Sequence, residues 1–136
     1  MHRVVFDTNV LLSAFLFGGN PRELLEQARE HRLALVTSPS ILLEFSRILK
    51  GKFSWEDNDI ADAVKAVGFC SEVVKPTQTL KVISDDADNR ILECAVECNA
   101  DYIASGDHHL LEIGEYKGIR LMNPKELMDL LAELPE

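Results

Sequence analysis

Cysteine is scarce in this chain: Cys70, Cys94 and Cys98 are all it has, and no two of them stand in a CxxC pair. That excludes a disulfide scaffold. A structural zinc site would want four soft ligands, and His108 and His109 do not complete one with Cys94 and Cys98 at their spacing. Reduced thiols in a cytoplasmic protein are the reading these residues support. Long apolar runs are missing too. Val4-Val5-Phe6 is cut off by Asp7, short of a signal-peptide core, and no run approaches the roughly 20 apolar residues of a membrane span, so no membrane partner is expected. Glycine and proline number only 7 and 5 in 136 residues, against 46% hydrophobic and 27% charged residues, which excludes a collagenous or largely disordered chain. With no repeat and no Pro/Ser-rich linker, residues 1–136 read as a single domain.

A basic surface is also lacking, since the net charge is −9. Residues 1–52 carry 7 Lys/Arg against 5 Asp/Glu, whereas residues 53–136 carry 7 against 18. High-affinity, non-specific coating of nucleic acid is thereby excluded. A nucleic-acid substrate is not, because a site built of carboxylates is acidic by design and local Arg and Lys can still hold phosphates.

What is present is an alternation of short apolar runs with longer amphipathic segments. Arg3–Phe6, Leu33–Val36, Val73-Val74, Tyr102–Ala104 and Ile119–Met122 have the length and residue types of strands. Helical spacing joins Ile41, Phe45, Ile48 and Leu49 behind Ser38-Pro39, Ile60, Val64 and Val67, Ile91, Leu92, Ala95 and Cys98, and Leu127, Leu130, Leu131 and Leu134 behind Asn123-Pro124, and Pro21 opens another helix. This pattern predicts an α/β fold, a mostly parallel sheet with helices on both faces.

In such a fold the chemistry gathers at the carboxyl ends of the strands. The polar residues found there are acids. Asp7 follows the first strand directly, and Asp107 follows the fourth after Ser105-Gly106; Asp85, Asp86 and Asp88 crowd the start of the helix that carries Ile91. Glu44 falls about 100° from the centre of the Ile41/Phe45/Ile48 stripe and borders the buried face. Singly, the three aspartates before Ile91 and Asp107 read equally as helix N-caps, and Glu44 as a solvated residue. Asp7 resists a bland reading, because a carboxylate ending a buried strand needs a cation or good hydrogen bonds. Acids converging from distant parts of the chain raise one another's pKa unless a cation sits among them, and the natural one is Mg²⁺ or Mn²⁺.

Val4-Val5-Phe6-Asp7-Thr8-Asn9-Val10-Leu11, Ser38-Pro39 ahead of Glu44, Asp88-Asn89-Arg90-Ile91-Leu92-Glu93-Cys94-Ala95 and Ala100 to Asp107 with Leu110-Leu111 together resemble a PIN-domain ribonuclease. More narrowly the chain is similar to the small stand-alone, VapC-like toxins of toxin–antitoxin pairs. The matching segments keep the family's order from residue 3 to residue 124. The resemblance implies an α/β/α sandwich with Asp7, Glu44, Asp88 and Asp107 as the catalytic quartet around Mg²⁺ or Mn²⁺, and Asn9 and Ser105 as polar residues that order the site or hold the substrate phosphate. Relatives often read Asp-Pro-Asp-Asp-Asn where this chain has Asp85-Asp86-Ala87-Asp88-Asn89; the acid before Asn is kept, which assigns Asp88.

The implied reaction is hydrolysis of an RNA phosphodiester by metal-activated water, with Arg90, Arg47, Lys50 and Lys52 as candidates for the RNA backbone. The resemblance also implies an antitoxin partner and a homodimer, for which Phe15, Phe17 and the C-terminal Leu-rich helix are candidate interface residues that core packing explains equally well. His108 and His109 are taken as surface or phosphate contacts. Two other readings are weaker. A signalling receiver domain has a similar Lys-Pro step, but here Lys75 ends the third strand and only Asp7 ends the first. A PIN fold serving only as a binding module would have no reason to keep four unpaired carboxylates; an RNA-processing nuclease without an antitoxin would share the same acids.

Overall fold

A computed structural model of the protein describes residues 1–134, so Pro135 and Glu136, the end of the expected domain, lie outside the described residues. The chain runs β1 (Arg3–Phe6), α1 (Thr8–Leu16), α2 (Gly19–Arg29), β2 (Ala34–Thr37), α3 (Pro39–Gly51), α4 (Asp57–Phe69), β3 (Ser71–Val73), α5 (Asp86–Glu97), β4 (Tyr102–Ala104), α6 (His108–Ile113), β5 (Glu115–Tyr116), β6 (Ile119–Met122) and α7 (Pro124–Glu133). The strands form one sheet in the order β3-β2-β1-β4-β6-β5, parallel except for β5. This is the α/β sandwich that the alternation of elements predicts.

The helices begin where the sequence provides caps. Ser38 accepts the Ile41 amide with Pro39 at the first helical position, and Asn123 and Glu126 close a capping box ahead of α7. Each lays an apolar stripe on the sheet: Ile41, Phe45 and Leu49 of α3, Ile91, Leu92 and Ala95 of α5, and Leu127 of α7 are buried in one core with Val4, Val5, Phe6 and Ile103. No described helix is long and apolar enough to cross a membrane.

Several bounds differ from the sequence reading: α2 opens at Gly19 rather than at Pro21, and β2 runs Ala34–Thr37 rather than Leu33–Val36. β3 is Ser71–Val73 rather than Val73-Val74, because at the sheet edge main-chain pairing with β2 decides the boundary and Val73 is exposed. The β5–β6 hairpin was not anticipated. It turns on Lys117 (φ 49°) and Gly118 (φ 82°), both in the left-handed region that a two-residue hairpin loop requires, and only the glycine advertises it.

Strand order places the site. From β1 the chain steps outward through β2 to β3, then returns to lay β4 on the other side of β1. The connections therefore diverge between β1 and β4 and leave a crevice at their carboxyl ends, the position where open α/β sheets bind ligands.

Candidate metal centre

Register builds the centre of the crevice. Phe6 lies opposite Ala104, so Asp7 and Ser105 leave their strands side by side. The Ser105 hydroxyl donates to Asp7 Oδ2 at 2.6 Å and accepts the Asp107 amide at 2.9 Å, linking two acids that are 100 residues apart in sequence. Asp7 Oδ1 accepts the Val10 amide at 2.8 Å and caps α1. With only 3% of its surface exposed, Asp7 has its pKa raised by burial; the Ser105 hydroxyl and the Val10 and Gly106 amides oppose the rise, and the charge of Asp107 adds to it.

Asp107 caps α6. Its Oδ1 accepts the amides of His109 at 2.7 Å and Leu110 at 3.2 Å, so the capping reading is right for this residue and leaves Oδ2 without a hydrogen bond among the described residues. Capping is also right for Asp85, which accepts the Ala87 amide at 2.8 Å. It is wrong for Asp88. That residue sits inside the first turn of α5, 9% exposed, and its Oδ2 is buried without any hydrogen-bond partner among the described residues. Burial, then the charges of Asp107, Asp85 and Asp7, push its pKa up to about 6, with His109 opposing.

Residues that hold α5 against its neighbours were not singled out from sequence. Buried Asn89 accepts the amides of Val82 and Ile83 at 3.0 Å and donates to the Ile83 carbonyl at 2.7 Å; Glu93 accepts the Leu80 amide at 2.8 Å, and Glu97 the Thr77 amide at 2.7 Å. The signal was their spacing of four, a polar stripe along an otherwise buried helix face.

Glu44 is half-buried on α3 beside fully buried Phe45. It separates two grooves: on one side it faces Asn9 of α1, and on the other Thr8, Asp86 and Arg90. Asn9 is exposed, and Ser105 is buried and fully engaged. Arg90 lines the second groove with its Nε tied to Glu93 at 2.8 Å. Lys50 is drawn away to Asp57 at 2.9 Å, whereas Arg47 and Lys52 make no ion pair among the described residues. Phe15 packs on Phe45 with ring centres 5.5 Å apart, while Phe17 is 75% exposed; Leu127 of α7 is buried, and Leu130 and Leu131 pack partly against the core.

The donors of the crevice fit a hard divalent cation. They are carboxylate oxygens, and the unpartnered Asp88 Oδ2 is a buried acceptor that such an ion would satisfy. Among the described residues the only set of three ligating side chains whose atoms all lie within 4.8 Å of one another is His108, His109 and Glu112, exposed on α6. Asp7, Asp88 and Asp107 form no such set among the described residues, so to ligate one ion together their side chains would have to draw closer. The three cysteines are free, with thiol pKa values raised by burial, that of Cys94 to about 12, and none belongs to the crevice.

Comparison with known proteins agrees with this architecture. The uncharacterized protein MJ1680 of Methanocaldococcus jannaschii is 31% identical over 140 residues, covering 93% of this chain and 90% of that protein. Residues 3–109 match the family model of the PIN domain, a span that runs from β1 past Asp107 and takes in Asp7, Glu44, Asp88 and Ser105. The chain belongs to the PIN-domain family.

Proposed function

We propose that this protein is a divalent-metal-dependent endoribonuclease, acting as one domain in the cytoplasm as the toxin of a toxin–antitoxin pair. PIN domains are nuclease domains as a class. The observation that supports metal dependence is Asp88: a buried carboxylate with an oxygen unpartnered among the described residues, its pKa pushed up to about 6 by burial and by the acids around it. Left alone, such a group costs stability; a cation among the acids removes that cost.

Asp7, Asp88 and Asp107 would hold Mg²⁺ or Mn²⁺, with Glu44 reaching it directly or through water, and the bound ion supplies charge neutralisation at a phosphodiester and a more acidic water. The protein's own groups set the geometry. Ser105 and the Val10 amide hold both oxygens of Asp7, and the cap of α6 holds Asp107. Glu44 would orient an attacking water, and Asn9, Arg47 and Arg90, which line grooves together with Glu44, would hold the backbone phosphates. The toxin assignment rests on the resemblance to small stand-alone PIN chains.

Cleavage of single-stranded and structured RNA with Mg²⁺, with Mn²⁺ and with EDTA, beside Asp7→Asn, tests the reading. Metal-dependent cleavage that disappears in Asp7→Asn supports it. No metal binding and no cleavage would overturn it in favour of a binding module. Cleavage without arrested growth on expression, and with no small partner that co-purifies, would leave a processing nuclease in place of the toxin.

A further inference from the structure

The groove between α1 and α3 has features that the acid site does not use. At one end it is lined by Asn9 and Glu44, and at the other by Phe17, Lys52 and Phe53, with Arg47 between; its volume is about 580 Å³. Phe17 at the C-cap of α1 is eight positions on from Asn9, and Lys52 at the C-cap of α3 eight on from Glu44, so the groove extends about 12 Å from Asn9 and Glu44. Phe17 is 75% exposed and closes α1, its amide and that of Gly18 both bonding to the Ser13 carbonyl at 2.9 and 3.0 Å. Lys52 Nζ lies 5.7 Å from the centre of the Phe53 ring, which puts a cation against the second aromatic.

We propose that this groove is a track for single-stranded RNA, in which Phe17 and Phe53 stack unpaired bases and Arg47 and Lys52 hold the backbone as it leads to the acids. The proposal rests on the nuclease reading of the acid site and adds how a single strand is selected. Charge complementarity decides the occupant. In a chain of net charge −9, two cations without ion-pair partners among the described residues line one groove that also takes in Asn9 and Glu44 of the proposed site. Phe17 is exposed and Phe53 half-buried; aromatics interleaved with cations give single-strand binding its sequence tolerance, because every base has a stacking face, and they exclude a duplex whose bases are already stacked.

The test is fluorescence anisotropy of a labelled single-stranded RNA and of its duplex, in an Asp7→Asn background or on the wild type in EDTA. Phe17→Leu and Phe53→Leu keep apolar bulk and remove the stacking face. Each is expected to weaken single-strand binding about fivefold or more, leaving the duplex and the melting temperature unchanged. Arg47→Ala and Lys52→Ala should lower the salt dependence as well. In the cleaving enzyme the aromatic changes should raise KM more than they lower kcat. Single-strand binding within twofold of the parent in the double Phe→Leu variant overturns the track, and so does a sedimentation shift showing that these residues instead join two copies of the chain. Loss of binding without any cleavage by the wild type would refute the nuclease reading and leave the track standing.

Discussion

Asp88 is the residue whose ionisation the fold resists most openly. Its pKa is raised from 3.8 to about 6, so between those values the folded state binds the extra proton and the unfolded state does not. The stabilisation from that proton is complete below pH 4 and is lost as pH rises through 6. Asp7, raised by burial, acts in the same direction. In metal-free buffer, Asp88→Asn should therefore melt higher than the wild type at pH 7.5, by about 3–6 °C, with the two curves converging towards pH 4. Equal melting temperatures for the two proteins across that range would remove Asp88 as the cause. Ser105 gives a second prediction, because its one hydroxyl serves both Asp7 and Asp107. Ser105→Ala should cost about 1–2 kcal/mol in urea unfolding and weaken Mg²⁺ binding about 10- to 100-fold by calorimetry.

At the scale of elements, α5 keeps its place through Asn89, which makes three hydrogen bonds to Val82 and Ile83 in the segment ahead of the helix. Asn89→Ala should cost about 2–3 kcal/mol in urea unfolding, and limited proteolysis should open near residues 80–84 while α3 stays protected. Protection unchanged at that segment would mean that Glu93 and Glu97 hold it without Asn89. The same region marks how far sequence carries. β1, β4 and β6 were legible because buried parallel strands are nearly uninterrupted apolar runs, and α3 and α7 because Ser38-Pro39 and Asn123-Pro124 announce their starts. Asp7 and Asp107 could be placed at strand ends from those runs alone. The partnership of Ser105 with Asp7 could not, since it follows from the pairing of Phe6 with Ala104, a register between strands almost 100 residues apart. Residue chemistry alone could not separate Asp88 from its capping neighbours Asp85 and Asp86: the resemblance picked it by the Asn that follows, and in the fold burial distinguishes it.

For the whole molecule the strand order and the charge meet in one place. The divergence between β1 and β4 concentrates acids from α1, α5 and α6 starts in a crevice of a chain already at −9, so the folded state carries a repulsion that the unfolded chain dilutes. A cation that binds there stabilises the fold by mass action, by about 2.7 kcal/mol at a hundred times its dissociation constant. For a domain of this size that amounts to roughly 6–15 °C in melting temperature. General screening would also raise the melting temperature, so KCl at matched ionic strength is the control, and it should supply only a small part of the Mg²⁺ effect because the crevice acids are largely shielded from bulk salt. Asp88→Asn then separates the two explanations by sign: it should gain stability without metal and lose most of the Mg²⁺ increment. A variant that keeps the full increment would place the ion elsewhere, with the exposed His108, His109 and Glu112 as the first alternative to test, whereas loss of both effects together ties the destabilising acids and the ion to the same site.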